Sequence, residues 1–124
     1  MGLYSRYIFP CLCDFALDNP VVNEQRRQLL SNVGGTVLEM GFGTGLNLPH
    51  YPESVRKITT VDPNAGMTKR AKRRIEQAAV AIEHHQLRSE SLPFDDETFD
   101  CIVSTFTLCS IADVDQAMKG VFRV

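Results

Sequence analysis

The chain has 124 residues, 44% of them hydrophobic and 23% charged, enough for one globular domain and not for two. Its 15 acidic and 13 basic residues leave a net charge of -2, without the basic surplus of a general nucleic-acid binder. No apolar run approaches the roughly 18 residues that cross a bilayer, no signal-peptide pattern opens the chain, and Cys11, Cys13, Cys101 and Cys109 lack zinc-site spacing. The expectation is a cytoplasmic protein with free thiols, no metal, and neither nucleic acid nor membrane as partner.

In chain order, residues 3–17 mix aromatics and aliphatics around Pro10 and read as short helical pieces. Asn19-Pro20 is a turn that can start a helix. An amphipathic helix follows over 21–31, with Val21, Val22, Leu29 and Leu30 on or near its apolar face and Gly34-Gly35 as its stop. The period then changes. Residues 36–40 form a short apolar run flanked by glycines, the mark of a buried strand, and residues 57–61 are β-branched enough for a second. A helix is predicted over 65–79, a third strand over 79–85, a polar loop over 91–97, a fourth strand over 99–105 and a helix over 113–123 capped by Asp113. Strands alternating with helices at this spacing imply a parallel α/β sheet. The basic run Lys69, Arg70, Lys72, Arg73 and Arg74 falls in the second helix and reads as its solvated face.

The chemistry concentrates where the first strand ends. Gly41, Gly43 and Gly45 lie in the bend after it, and in parallel α/β sheets ligands bind at the carboxyl ends of strands. Glycine lets the main chain turn sharply and approach a ligand without a Cβ in the way. Asp62 closes the second strand, roughly 20 residues further on, where a carboxylate can accept hydrogen bonds from both hydroxyls of a ribose or else cap the next helix. Together they indicate a nucleoside ligand. The dinucleotide pattern G-x-G-x-x-G fails in both registers, because Leu46 and Leu48 stand where the last glycine belongs.

The segment instead reads E-x-G-x-G-x-G, from Glu39 to Gly45, and resembles motif I of class I S-adenosylmethionine-dependent methyltransferases. Val61-Asp62-Pro63-Asn64 resembles the acidic second motif of that family. Leu92-Pro93-Phe94 leading to Phe99-Asp100 is similar to its stretch before strand four, and Ser104-Thr105 to the segment leaving that strand. The similarity is greatest to small-molecule enzymes related to quinone-biosynthesis and thiol methyltransferases. It implies a Rossmann-like, partly parallel sheet with flanking helices, built as strands 3-2-1-4 of the family's 3-2-1-4-5-7-6. One partial methyltransferase domain would then cover 1–124, with a helical segment at 1–32 and a cofactor-binding half at 33–124.

The resemblance also implies a site. Gly41, Gly43 and Gly45 would pass beside the methionine part of S-adenosylmethionine, with backbone groups of Phe42 and Thr44 and the nearby Asn47 contributing. Glu39 would help position the ammonium group, and Asp62 the ribose hydroxyls. Pro63 and Met67 would flank the adenine. Arg88 stands where the family often carries an acid, so Ser89 or Glu90 would face the adenine amino group. Thr105 would border the pocket, and Tyr4 and Tyr7 would lie in a capping segment. S-adenosylhomocysteine would be the product and a small molecule the methyl acceptor. His50, His84 and His85 are the bases available by type, and none matches a family catalytic position. A strand four without a neighbour is an apolar edge, so pairing of two copies or aggregation through it, or a partner that supplies the missing strands, is expected.

Overall fold

The computed structural model describes residues 17–63, 65–105 and 113–124, with the backbone alone for 65–70. Helix α1 spans Pro20–Leu30, strand β1 Gly35–Met40, and a 3-10 turn Leu48–His50. Strand β2 (Val55–Val61), helix α2 (Ala65–Gln77) and strand β3 (Ala81–His85) follow. Strand β4 (Cys101–Ser104) and helix α3 (Val114–Arg123) complete the order. The four strands form one sheet in the order β3-β2-β1-β4, with every pairing parallel. This is the expected 3-2-1-4 half of the methyltransferase arrangement.

Burial explains the sheet. Val37, Leu38, Glu39 and Met40 of β1 are all buried, as the central strand of a parallel sheet covered on both faces must be. One face packs Val37, Ile58 and Val103 against Leu30 of α1 and Ala71 of α2. The other packs Leu38, Met40 and Val61 against Leu92 and Ala117 of α3. Each fully buried Leu or Ile side chain stabilises by about 1.5–3 kcal/mol, so the two layers of helix hold the sheet between them. Register is pinned at the entry to β1. Asp100 N–H donates to Thr36 O at 2.8 Å, and Asp100 Oδ2 accepts from Thr36 N–H at 2.8 Å. A Cβ at Gly35 would sit 2.2 Å from that carboxylate oxygen, which explains the glycine.

The stretch before β4 is fastened to the far end of the chain. Arg123 donates to Phe94 O at 2.6 Å, Leu92 O at 2.7 Å and Asp96 Oδ1 at 2.8 Å. The Phe94 and Phe99 rings meet edge to face at 5.2 Å. Phe99 N–H donates to Val124 O at 2.8 Å. So the Leu92-Pro93-Phe94 motif is a structural clasp over α3.

Several expectations are corrected. Val21 and Leu29 do not face the core: they are 70% and 60% exposed. The inward stripe of α1 runs through Val22, Arg26 and Leu30 at a spacing of four, and it carries a cation in the middle. Ser31 caps α1, and Gly35 begins β1 instead of ending the helix. Residues 79 and 80 precede β3, and β4 is shorter than 99–105, with the Phe99 N–H turned to Val124 O. Asp113 caps α3 as expected, accepting from Gln116 N–H at 3.0 Å. Tyr4, Tyr7 and Asn64 lie outside the described residues. Among the described residues no helix is long and apolar enough to cross a membrane.

Candidate functional site

The chain runs from β1 through β2 to β3 on one side, then crosses back to place β4 on the other side of β1. The carboxyl ends of β1 and β4 therefore flank the switch point, where a parallel α/β sheet opens a crevice. Glu39 and Met40 pair there with Val103 and Ser104.

The bend after β1 is left-handed at three glycines: φ is 65° at Gly41, 61° at Gly43 and 84° at Gly45. Side chains rarely adopt that region, and a Cβ there costs about 1–2 kcal/mol. At Gly45 space is short as well: a Cβ would lie 3.1 Å from the Phe42 ring. At Gly43 it would meet nothing nearer than Gly41 O at 3.9 Å, so the bend presents a bare main-chain surface. The bend is fastened from behind. Gly41 and Phe42 N–H groups both donate to Val61 O, at 2.8 and 3.2 Å, and Arg74 of α2 donates to Thr44 O at 2.9 Å. Phe42 differs from expectation. Its ring is buried in the core, 5.6 Å from the His84 ring, and its N–H is engaged within the fold.

Asp62 and the bend meet. Asp62 Oδ2 accepts from Gly43 N–H at 2.9 Å, and the residue is only 7% exposed. Pro63 beside it is exposed, and Met67 lies on α2. The carboxylate and the bare bend share one end of the sheet, as the spacing of Gly41 and Asp62 implied.

Behind the bend lies a buried polar cluster. Glu39 is 1% exposed, and its Oε1 accepts from Tyr51 Oη–H at 2.5 Å and from Asn47 Nδ2 at 3.2 Å. Asn47 Nδ2 also donates to Thr105 Oγ1 at 3.0 Å, and Asn47 Oδ1 accepts from Arg26 at 2.6 Å. Burial pushes the Glu39 carboxyl up to about 7, against the Tyr51 and Asn47 hydrogen bonds and the Arg26 charge, while Asp62 pushes the same way as burial. Burial and the Glu39 carboxylate hold the Tyr51 phenol far above its usual range, so it stays a donor. Glu39, Asn47 and Thr105 were expected at the site, and the cluster joins them. Arg26 and Tyr51 were not foreseen. The available signal was a lone arginine on the inward stripe between Val22 and Leu30; Tyr51 carried none.

Ser89 is buried, whereas Glu90 is held down to about 2 by Arg88, and its Oε1 also receives Asp113 N–H at 3.4 Å. Glu90 thus helps anchor the start of α3. His84 bonds Thr60 Oγ1 and His85 bonds Glu83, both on β3, two strands away from the switch point. Burial pulls His84 and His50 below their ordinary range, so both favour the neutral form.

This arrangement fits a nucleoside bearing an amino-acid tail. The surface at Gly43 is bare where a Cβ would stand, the Asp62 carboxylate lies beside it, and the Glu39 carboxyl lies buried behind, so these are the residues that could hold the hydroxyls and the ammonium group of such a ligand. A family model for the methyltransferase domain matches residues 38–124. The chain is 34% identical over 126 aligned residues to a phosphatidylethanolamine N-methyltransferase of Cereibacter sphaeroides, covering 98% of this chain and 60% of that protein. It is 34% identical over 96 residues to the ubiquinone/menaquinone biosynthesis C-methyltransferase UbiE of Escherichia coli, covering 73% of this chain and 38% of that one. Among solved structures, a SAM-dependent methyltransferase from Thermotoga maritima superimposes with a TM-score of 0.67 at 25% identity, over 97% of this chain and 54% of its own. The chain thus spans between about two fifths and three fifths of the two curated relatives. With its motifs, sheet order and matched domain in agreement, the chain belongs to the class I S-adenosylmethionine-dependent methyltransferases.

Proposed function

We propose that this protein binds S-adenosylmethionine in the crevice at the ends of β1, β2 and β4 and takes part in methyl transfer to a small-molecule acceptor. The observation that carries the reading is the contact between Asp62 and the left-handed bend, with Gly43 N–H donating to Asp62 Oδ2 at 2.9 Å. In this reading Gly41, Gly43, Gly45 and Thr44 lie along the amino-acid part of the cofactor and Asp62 holds the ribose hydroxyls. Glu39, with Asn47 and Thr105 behind it, receives the ammonium group. Pro63, Met67 and Ser89 border the adenine, with Glu90 next to them and Phe42 acting only as the core support of the bend.

The sulfonium supplies a methyl group already activated for in-line displacement. The work of the chain is to bind, align and exclude water, and alignment alone is worth about 7–11 kcal/mol in favourable cases. No side chain here is assigned as a base. The two curated relatives are named for a phospholipid and for quinone biosynthesis, which supports a small organic acceptor for this chain.

Isothermal titration with S-adenosylmethionine, S-adenosylhomocysteine and NAD tests the binding. Micromolar affinity for the first two and none for NAD is expected, and the reverse order refutes the reading. A radiolabelled methyl-transfer assay then separates turnover from binding alone. Pairing of two copies is proposed at the open side of β4, where Ile102, Val121 and the 86%-exposed Phe122 line a groove of about 470 Å³. A monomer in sedimentation at high concentration would rule the pairing out. A cytoplasmic location is also proposed, on the composition alone.

A further inference from the structure

We propose that Arg26 and Tyr51 are positioning residues that orient Glu39 toward the ammonium group of the cofactor, Arg26 acting through the Asn47 amide. The inference rests on the binding reading above and assigns two residues beyond its motifs.

Arg26 carries only donors, and its side chain lies at the buried face of α1, where the residue is 4% exposed. Its bond to Asn47 Oδ1 at 2.6 Å fixes which way that amide faces. The oxygen must face the guanidinium, so the NH2 group faces Glu39 Oε1 at 3.2 Å and Thr105 Oγ1 at 3.0 Å. Both donors of the amide are then spent, one on β1 and one on the residue that follows β4. Tyr51 adds the second donor on Glu39 Oε1, from the opposite flank of the 3-10 turn. Without the guanidinium the amide oxygen loses this donor, and the amide is held only through its NH2 group. Arg26 also contributes positive charge near Glu39, favouring the ionised form that an ammonium requires. The helix before the sheet and the residue after the 3-10 turn thereby set the acceptor at the switch point.

Three ligands separate this role from its rivals in titrations of the full chain. S-adenosylhomocysteine carries the ammonium and the carboxylate, its decarboxylated analogue only the ammonium, and 5'-methylthioadenosine neither. Arg26→Met is expected to weaken the first two by a similar factor, about tenfold or more, the size of one charge-assisted hydrogen bond. Methylthioadenosine should keep its affinity within about twofold, and Arg26→Lys should restore most of the loss. Tyr51→Phe keeps the ring in place and should show the same pattern more weakly, so a poorly folded Arg26→Met does not end the test. Parallel loss on all three ligands would make the role merely structural and overturn the inference. Loss confined to S-adenosylhomocysteine would mean that Arg26 meets the carboxylate directly, which also overturns it. If the unaltered chain binds none of the three, the binding reading itself has failed.

Discussion

Replacing Glu39 by Gln should stabilise the protein at neutral pH and weaken its ligand. Glu39 is fully enclosed, and its carboxyl is pushed from an ordinary 4.5 to about 7, burial outweighing the hydrogen bonds from Tyr51 and Asn47. In the unfolded chain the group ionises near 4.5. Between that pH and about 7 the folded state therefore keeps a proton that the unfolded state has lost, and stability falls as pH rises through that window, levelling off above it. A shift of this size corresponds to about 3 kcal/mol at most. A Gln at this position keeps an oxygen for the Tyr51 and Asn47 donors and removes the titration. Urea unfolding from pH 5 to pH 8 should then show Glu39→Gln gaining on the unaltered chain as pH rises, by about 1–3 kcal/mol at pH 8, with little difference at pH 5. Taking the difference between the two proteins removes the contributions of His50 and His84, whose lowered values act in the opposite sense. A difference that stays flat across this range would refute the buried-carboxylate account. Weaker binding of S-adenosylhomocysteine by the stabilised variant would show a site residue held at the expense of stability.

Three further substitutions probe the bend and the clasp. Gly45→Ala places a Cβ 3.1 Å from the Phe42 ring at φ 84° and should cost about 2–4 kcal/mol in chemical unfolding. Gly43→Ala meets open space and should cost only about 1–2 kcal/mol while lowering cofactor affinity more than its stability loss explains; equal effects at the two positions would contradict the geometry. Arg123→Ala removes three hydrogen bonds from the 92–96 segment and should destabilise by about 1–2 kcal/mol, with faster amide exchange in that segment. Unchanged exchange there would show that the aromatic pair Phe94 and Phe99 holds the segment without the arginine.

Legibility differed between local and long-range features. The strands at 36–40 and 57–61, the glycine bend, and the cap at Asp113 follow from rules written into neighbouring residues: β-branching, hydrophobic runs, positive φ and a side-chain oxygen near an unpaired N–H. The parallel pairing also follows from the alternation of strands and helices, whereas the strand order was implied only by the family resemblance. The inward face of α1 did not follow. Val21 and Leu29 looked apolar enough to be core, but whether an arginine can be buried depends on a partner 21 positions away, Asn47. Likewise the Phe99 N–H goes to Val124 O, a bond that no local pattern encodes.

Sequence alone therefore determined the class of fold, which depends on backbone freedom and on the order of elements along the chain, and its motifs carried the family by resemblance. Tertiary structure alone decided how Glu39 is held, that Phe42 supports the bend from the core, and that Glu90 serves α3. Those outcomes depend on which donors meet which acceptors after distant segments close together, and a buried polar group takes whatever partner the fold brings within about 3 Å of it.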